Sequence, residues 1–221
     1  MLSIPRVLSN PHKDVLHLKR SFSIVASFTL ALWLIKIIES FSGIELFKYG
    51  IYPGQMSGLA AILWAPLIHS SFSHLLANTA PLLILGTALL YGYPKSAKIV
   101  VPAVYIGTGL GVWLFARQSY HIGISGLTFG FMFFVFTIGV IRWDRRASVL
   151  SMLVFFLYGG MIWGIFPSKP DISFESHFFG AVIGIVLAIL LRNYDPYTAE
   201  KKYSWEDDED EDDVSIFDDE S

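Results

Sequence analysis

Four polar residues stand where an apolar chain should carry none: His74, Asn78, Ser125 and His177 each fall within or at the edge of a long hydrophobic run. Taking such groups out of water is costly, so each is a candidate for chemistry until packing explains it. A serine hydroxyl and an imidazole make the pair used for acyl transfer, the ring taking the proton as the oxygen attacks a carbonyl. The ring must be neutral at rest for that role. His74 and Asn78 are four residues apart, hence on one helical face, and can act as a pair. Counted at 1.5 Å per residue from the far ends of their runs, Ser125 lies about 24 Å, His177 about 21 Å and His74 about 26 Å along, one common depth in a bilayer core of about 30 Å. No carboxylate inside the runs can orient the histidine. Glu39 closes the first run and Glu175 precedes His177 in an expected loop, so the expectation is a Ser–His dyad without a third member.

Singly, each residue has a plainer explanation. Serines in glycine-rich membrane helices commonly bond their own backbone, and lone histidines or asparagines hold helices together. Three runs delivering polar groups to one depth favour a site. His69 is expected to be a loop residue without catalytic duty, His12 and His17 belong to the amino-terminal segment, and His121 to the polar link before Ser125.

The elements that must position these groups are membrane helices. Of 221 residues, 53% are hydrophobic and only 16% charged, whereas a soluble domain carries about 25% charge. A backbone crosses lipid only with its hydrogen bonds closed, which takes about 20 apolar residues as helix. Six runs qualify, near residues 22–41, 75–91, 99–115, 125–141, 149–165 and 177–191, separated by Gly/Pro or charged punctuation. The absence of cysteine excludes disulfides, thiolate metal sites and cysteine nucleophiles. The net charge of −3 conceals an unbroken acidic stretch at 206–213 on an otherwise basic chain.

Lysine and arginine cluster before the first run (Arg6, Lys13, Lys19, Arg20), after the second (Lys95, Lys98) and after the fourth (Arg142, Arg145, Arg146). The alternate loops carry only Lys48, Arg117 and Lys169. The cation-rich segments are expected in the cytoplasm, which puts both termini there and starts the second, fourth and sixth helices at the outer face. Their amino ends, with free N–H groups and positive dipole ends, would then converge on one pocket. Gly126 and Gly130, and Gly180, Gly184 and Ala188, form small-residue stripes through which two helices can approach closely enough to join Ser125 to His177. The first run lacks a convincing cleavage site and reads as a signal anchor. The expected organisation is a cytoplasmic amino-terminal segment (1–20), a six-helix catalytic membrane domain (21–192) and an acidic cytoplasmic tail (193–221) with the composition of disorder, able to meet a basic partner. The apolar stretch 42–73, broken by Pro53, Gly54, Gly58 and Pro66, is expected in the membrane interface.

These residues resemble the rhomboid family of intramembrane serine proteases. The family's His-x4-His-x3-Asn pattern is found at His69, His74 and Asn78, its Gly-x-Ser-Gly at Gly123–Gly126, and its His-x2-Gly-x3-Gly at His177, Gly180 and Gly184. The resemblance spans roughly residues 21–192 and implies an all-α, six-transmembrane-helix rhomboid-like bundle. It further implies Ser125 as nucleophile, His177 as general base, and the Ser125 amide with His74 and Asn78 as oxyanion hole, with Gly123 shaping the substrate-side loop and Phe129 stacking on the histidine. The implied substrates are single-span membrane proteins whose helix unwinds near its outer end. Departures are visible: the family's Trp-Arg pair in the first outer loop is replaced by Leu59, Ala60 and Ala61 with Trp64 later, Phe129 stands for a frequent tyrosine, and Ser176 for a frequent alanine.

No cofactor, metal or nucleic-acid partner is expected, and the compact core suggests a bacterial cytoplasmic membrane. Water must reach Ser125, through a polar cavity open to the outside and capped by the loop 166–175. The alternative is a catalytically inactive relative that captures membrane proteins for quality control, against which the presence of both Ser125 and His177 argues. A transporter or a metal or haem protein built on His69, His74, His121 and His177 is disfavoured, because His69 and His74 are about 140° apart around a helix and no thiolate or carboxylate pair completes a ligand set.

Overall fold

The structure is a computed structural model and describes residues 6–7, 11–167 and 172–198. The acidic stretch and nearly all of the expected tail lie outside the described residues, as does the middle of the loop expected to cap the site. The long helices are α1 (Pro11–Ser42), α3 (Phe72–Gly92), α4 (Pro94–Phe115), α5 (Ser125–Arg142), α6 (Arg145–Tyr158, continued as a 3-10 helix over Gly159–Ile165) and α7 (Phe174–Leu191), with a short α2 (Met56–Ala61) between the first two. Six of these segments are long and apolar enough to cross a membrane. The fold is thus the all-α, six-span bundle, and a two-residue parallel pairing of β1 (Arg6–Val7) with β2 (Tyr197–Thr198) merely ties the two end segments together.

Several helices begin earlier than their apolar runs, because polar caps extend them. Ser71 Oγ accepts the His74 amide at 3.0 Å, Pro94 opens α4, Asp144 accepts the Ala147 amide at 3.2 Å, and Ser173 accepts the Ser176 amide at 3.4 Å. Each satisfies or removes a donor that a helix start would otherwise leave unpaired. One consequence corrects an expectation: Glu175 is not in a loop but in the first turn of α7, buried, with Arg117 Nη1 3.6 Å away. The fifth run is also not one α-helix, since it tightens into 3-10 geometry at Gly159 and Gly160.

Burial ranks the helices. In the most apolar stretch of α5, 67% of residues are buried inside the protein, against 11% for α6 with its 3-10 extension. α5 is the central post, and α6 presents most of its surface to lipid. The closeness of α5 and α7 comes from glycine: a Cβ on Gly180 would overlap the Gly126 carbonyl, and one on Gly184 the Gly130 carbonyl. α1 lies along α3, where Trp33 Nε1 donates to Thr79 Oγ1 at 3.1 Å and Val25 abuts Gly86.

The stretch between α1 and α3 folds into short helical turns rather than a loop without structure. Its Ile51, Ala61, Ile62 and Ala65 form a small core with Val112 and Ala116. Two indoles anchor it, Trp64 Nε1 donating to the Tyr49 carbonyl at 2.8 Å and Trp113 Nε1 to the Gln55 carbonyl at 2.7 Å. At the opposite end of the bundle, Asp195 accepts the Lys95 and Ser96 amides at 2.8 and 3.0 Å, capping α4 from beyond the end of α7.

Candidate active site

α5 begins at Ser125 because the chain before it is held in a non-helical turn. Gly123 has φ +103°, a conformation that disfavours every residue with a Cβ, and its amide donates to the Ala65 carbonyl at 3.0 Å. Two residues earlier, His121 exchanges backbone hydrogen bonds with Ile51, both at 2.9 Å. The turn is thereby pinned to the segment before α3, and the Ser125 amide, at the first helical position, has no acceptor within its own helix.

Across the α5–α7 contact, the Ser125 hydroxyl and His177 Nε2 are 2.8 Å apart. The far ring nitrogen, Nδ1, is 2.9 Å from the Gly164 carbonyl in the 3-10 segment. A carbonyl only accepts, so Nδ1 carries the ring's proton and Nε2 presents its lone pair to the hydroxyl. Phe129, one turn below Ser125, lies flat on the imidazole with ring centroids 4.0 Å apart and planes 4° apart. Position, tautomer and plane of the ring are each held by a different neighbour. The Gly164 carbonyl was not foreseen from the sequence, since a backbone acceptor has no residue signature, although Gly164 itself is required by the fit: a Cβ there would lie 2.7 Å from Phe129 and 3.3 Å from His177 Nδ1.

His74 faces the Gly123 turn, with its Nε2 3.2 Å and its Cε1 3.0 Å from where a Gly123 Cβ would be. Its Nδ1 is 3.1 Å from Ser70 Oγ. Asn78 is buried one turn on and its Nδ2 donates to the His74 carbonyl at 2.9 Å, which commits one of two amide hydrogens and leaves the other. Gly126, Gly180 and Gly184 sit in the α5–α7 contact as described. His69, only 1% exposed, stands edge-on to His74 with centroids 5.1 Å apart, and its Nε2 accepts the Ile124 amide at a long 3.5 Å. Burial, with the neighbouring charges of His74 and Lys36, pushes the His69 pKa down to about 4, so the ring is a neutral acceptor.

His121 is more than a link residue. Its Nδ1 is 2.7 Å from Ser173 Oγ and its Nε2 3.0 Å from the Arg117 carbonyl, which straps the turn before Ser125 to the cap of α7. Burial lowers its pKa and keeps it neutral in that role. Beside the strap lies a mainly apolar cavity of about 30 Å³, lined by Ile51, Val104, Val112 and Leu127 with His121 and Ser176 among its polar members, which is room for one or two waters. Ser125 and His177 do not themselves line it.

A bundle of six helices long and apolar enough to cross a membrane defines a multi-pass integral membrane protein. A family model for the Rhomboid domain matches residues 56–194, and the chain belongs to the rhomboid family. Among its relatives, "Uncharacterized protein Rv1337" of Mycobacterium tuberculosis is 35% identical over 176 residues, covering 76% of this chain and 73% of that protein. "Uncharacterized protein ML1171" of Mycobacterium leprae is 31% identical over the same length, covering 70% of its own chain. "RHOMBOID-like protein 2" of Arabidopsis thaliana is 26% identical over 76% of this chain and 50% of its own.

Proposed function

We propose that the protein is an intramembrane serine endopeptidase that cleaves single-span membrane proteins near the outer face of the bilayer. The observation that carries this reading is the 2.8 Å approach of the Ser125 hydroxyl to a His177 ring whose other nitrogen is already occupied. In the proposed step, His177 Nε2 takes the Ser125 proton as Oγ attacks a peptide carbonyl, and returns it to the leaving amine. The oxyanion is received by the Ser125 amide, His74 Nε2–H and the uncommitted Asn78 amide hydrogen. Water then hydrolyses the acyl-enzyme, His177 Nε2 taking its proton as it attacks the ester carbonyl and passing it to the departing Ser125 oxygen.

The substrate helix must unwind to present a carbonyl, because helical carbonyls are already bonded. Both termini are assigned to the cytoplasm: exposed Lys19, Arg20, Lys95, Lys98, Arg145 and Arg192 gather at the end of the bundle remote from Ser125. The mycobacterial relatives favour a bacterial cytoplasmic membrane. Purified protein in lipid vesicles with a single-span substrate tests the proposal. Cleavage that disappears in Ser125→Ala and His177→Ala is expected, and full cleavage by either variant would end it.

A further inference from the structure

The mechanism leaves unused a buried cation close to the site. Lys36, on α1 and only 8% exposed, donates to Glu39 Oε2 at 2.9 Å and to the Ser70 carbonyl at 3.2 Å. Glu39 Oε1 in turn accepts the Leu46 amide at 3.1 Å. The contact joins α1 to the residue just before α3. Ser70 is the residue whose hydroxyl is 3.1 Å from His74 Nδ1.

We infer that Lys36 and Ser70 are positioning residues that hold His74 in the tautomer with its proton on Nε2, turned toward the Gly123 turn. The inference rests on the proposed role of His74 as an oxyanion donor. A neutral imidazole donates from one nitrogen and accepts at the other, so the partner of Nδ1 decides what Nε2 does. A serine hydroxyl can play either part. The Lys36 ammonium, held at the Ser70 carbonyl, favours the orientation in which the hydroxyl hydrogen points away from the cation and toward the Nδ1 lone pair. Ser70 is exposed, so water competes for its hydroxyl, and the Lys36 bond to its carbonyl is what keeps the residue within reach of the ring. Glu39 balances the buried ammonium, which would otherwise be costly to hold there.

Nitrogen-15 histidine NMR of the protein in lipid nanodiscs, with the His74 signals assigned by their loss in His74→Gln, reads the tautomer without any turnover. The expected result is a single Nε2–H form in wild type, a mixture in Ser70→Ala, and recovery in Ser70→Thr. Lys36→Met combined with Glu39→Gln, which removes the cation without stranding its carboxylate, should give the same mixture, whereas Lys36→Arg should not. A wild-type ring protonated on Nδ1, or a pure Nε2–H ring in Ser70→Ala, overturns the inference whether or not the protein is a protease. In turnover, Ser70→Ala should lower kcat roughly tenfold, the equivalent of one neutral hydrogen bond, with KM unchanged. The same substitution made on top of His74→Ala should cost nothing further, and an equal loss in both backgrounds would show that Ser70 acts elsewhere.

Discussion

At the scale of single residues, the site is a set of rings and hydroxyls whose freedom has been removed by neighbours. Phe129 lies on the His177 ring at 4.0 Å, and an aromatic contact of this kind contributes about 0.5–1.5 kcal/mol. Phe129→Leu should therefore lower kcat by up to roughly tenfold while leaving KM near its wild-type value, and Phe129→Tyr should restore it. Steady-state cleavage of a membrane substrate decides. If Asn78 serves as the proposed oxyanion donor, Asn78→Ala should reduce kcat by about 10² to 10³, the usual effect of such a loss. An unchanged rate would take Asn78 out of the site. His69 makes a pH prediction. Its pKa is about 4 in the fold against 6.5 for the free side chain, so the unfolded chain binds the proton more readily between those values. Stability from this residue is complete above pH 6.5 and is lost as pH falls toward 4. The unfolding midpoint of wild type should fall between pH 7 and pH 5, and His69→Asn should show a shallower fall over the same range.

At the scale of elements, the α5–α7 contact decides whether the hydroxyl and imidazole meet. Gly180→Val forces the Gly126 backbone away, and such overpacking costs about 1–3 kcal/mol. The expected outcome is a lower unfolding midpoint together with loss of Ser125 labelling by a fluorophosphonate, which reads the proposed nucleophile without a membrane substrate. This part of the molecule was legible in the sequence. Glycine and alanine at 126, 130, 180, 184 and 188 recur every four residues, and only backbone-to-backbone packing needs that pattern. The six spans were legible for a similar reason, since lipid demands length and apolarity that few other structures share. Helix starts were not, because Ser71, Asp144 and Ser173 look like loop residues until their capping bonds are seen. The Gly164 carbonyl and the Lys36–Ser70–His74 chain were also hidden. The first is a backbone atom, and the second joins residues 34 apart through a carbonyl that any amino acid would provide. The short turns between α1 and α3 escaped notice because they are one to two turns long, too brief for a periodic signal.

At the scale of the whole molecule, the six helices are unequally held, and on the proposed function the inequality bears on where a substrate helix would enter. α5 is enclosed on most sides, whereas α6 and its 3-10 extension bury only 11% of their most apolar stretch. Phe155, Phe156, Leu157 and Trp163 face outward from it. Its low burial means that displacing α6 would expose little new surface, which makes it the span expected to yield first. Its 3-10 extension also carries Gly164, whose carbonyl holds His177 Nδ1, so an outward swing of α6 would release the ring proposed as base. A tether on α6 should consequently slow membrane substrates more than small reagents. The chain contains no cysteine, which leaves a clean background for a thiol-reactive crosslinker. Phe136→Cys with Phe155→Cys joins α5 to α6 where the native rings are 6.0 Å apart, and Phe115→Cys with Phe179→Cys joins α4 to α7 where they are 5.9 Å apart. Crosslinking the first pair should cut cleavage of a single-span substrate by about tenfold or more, with fluorophosphonate labelling of Ser125 preserved, and the second should change neither. Equal inhibition by both tethers would mean that entry depends on general flexibility of the bundle, and undiminished cleavage with α6 fixed to α5 would place the entrance along another seam.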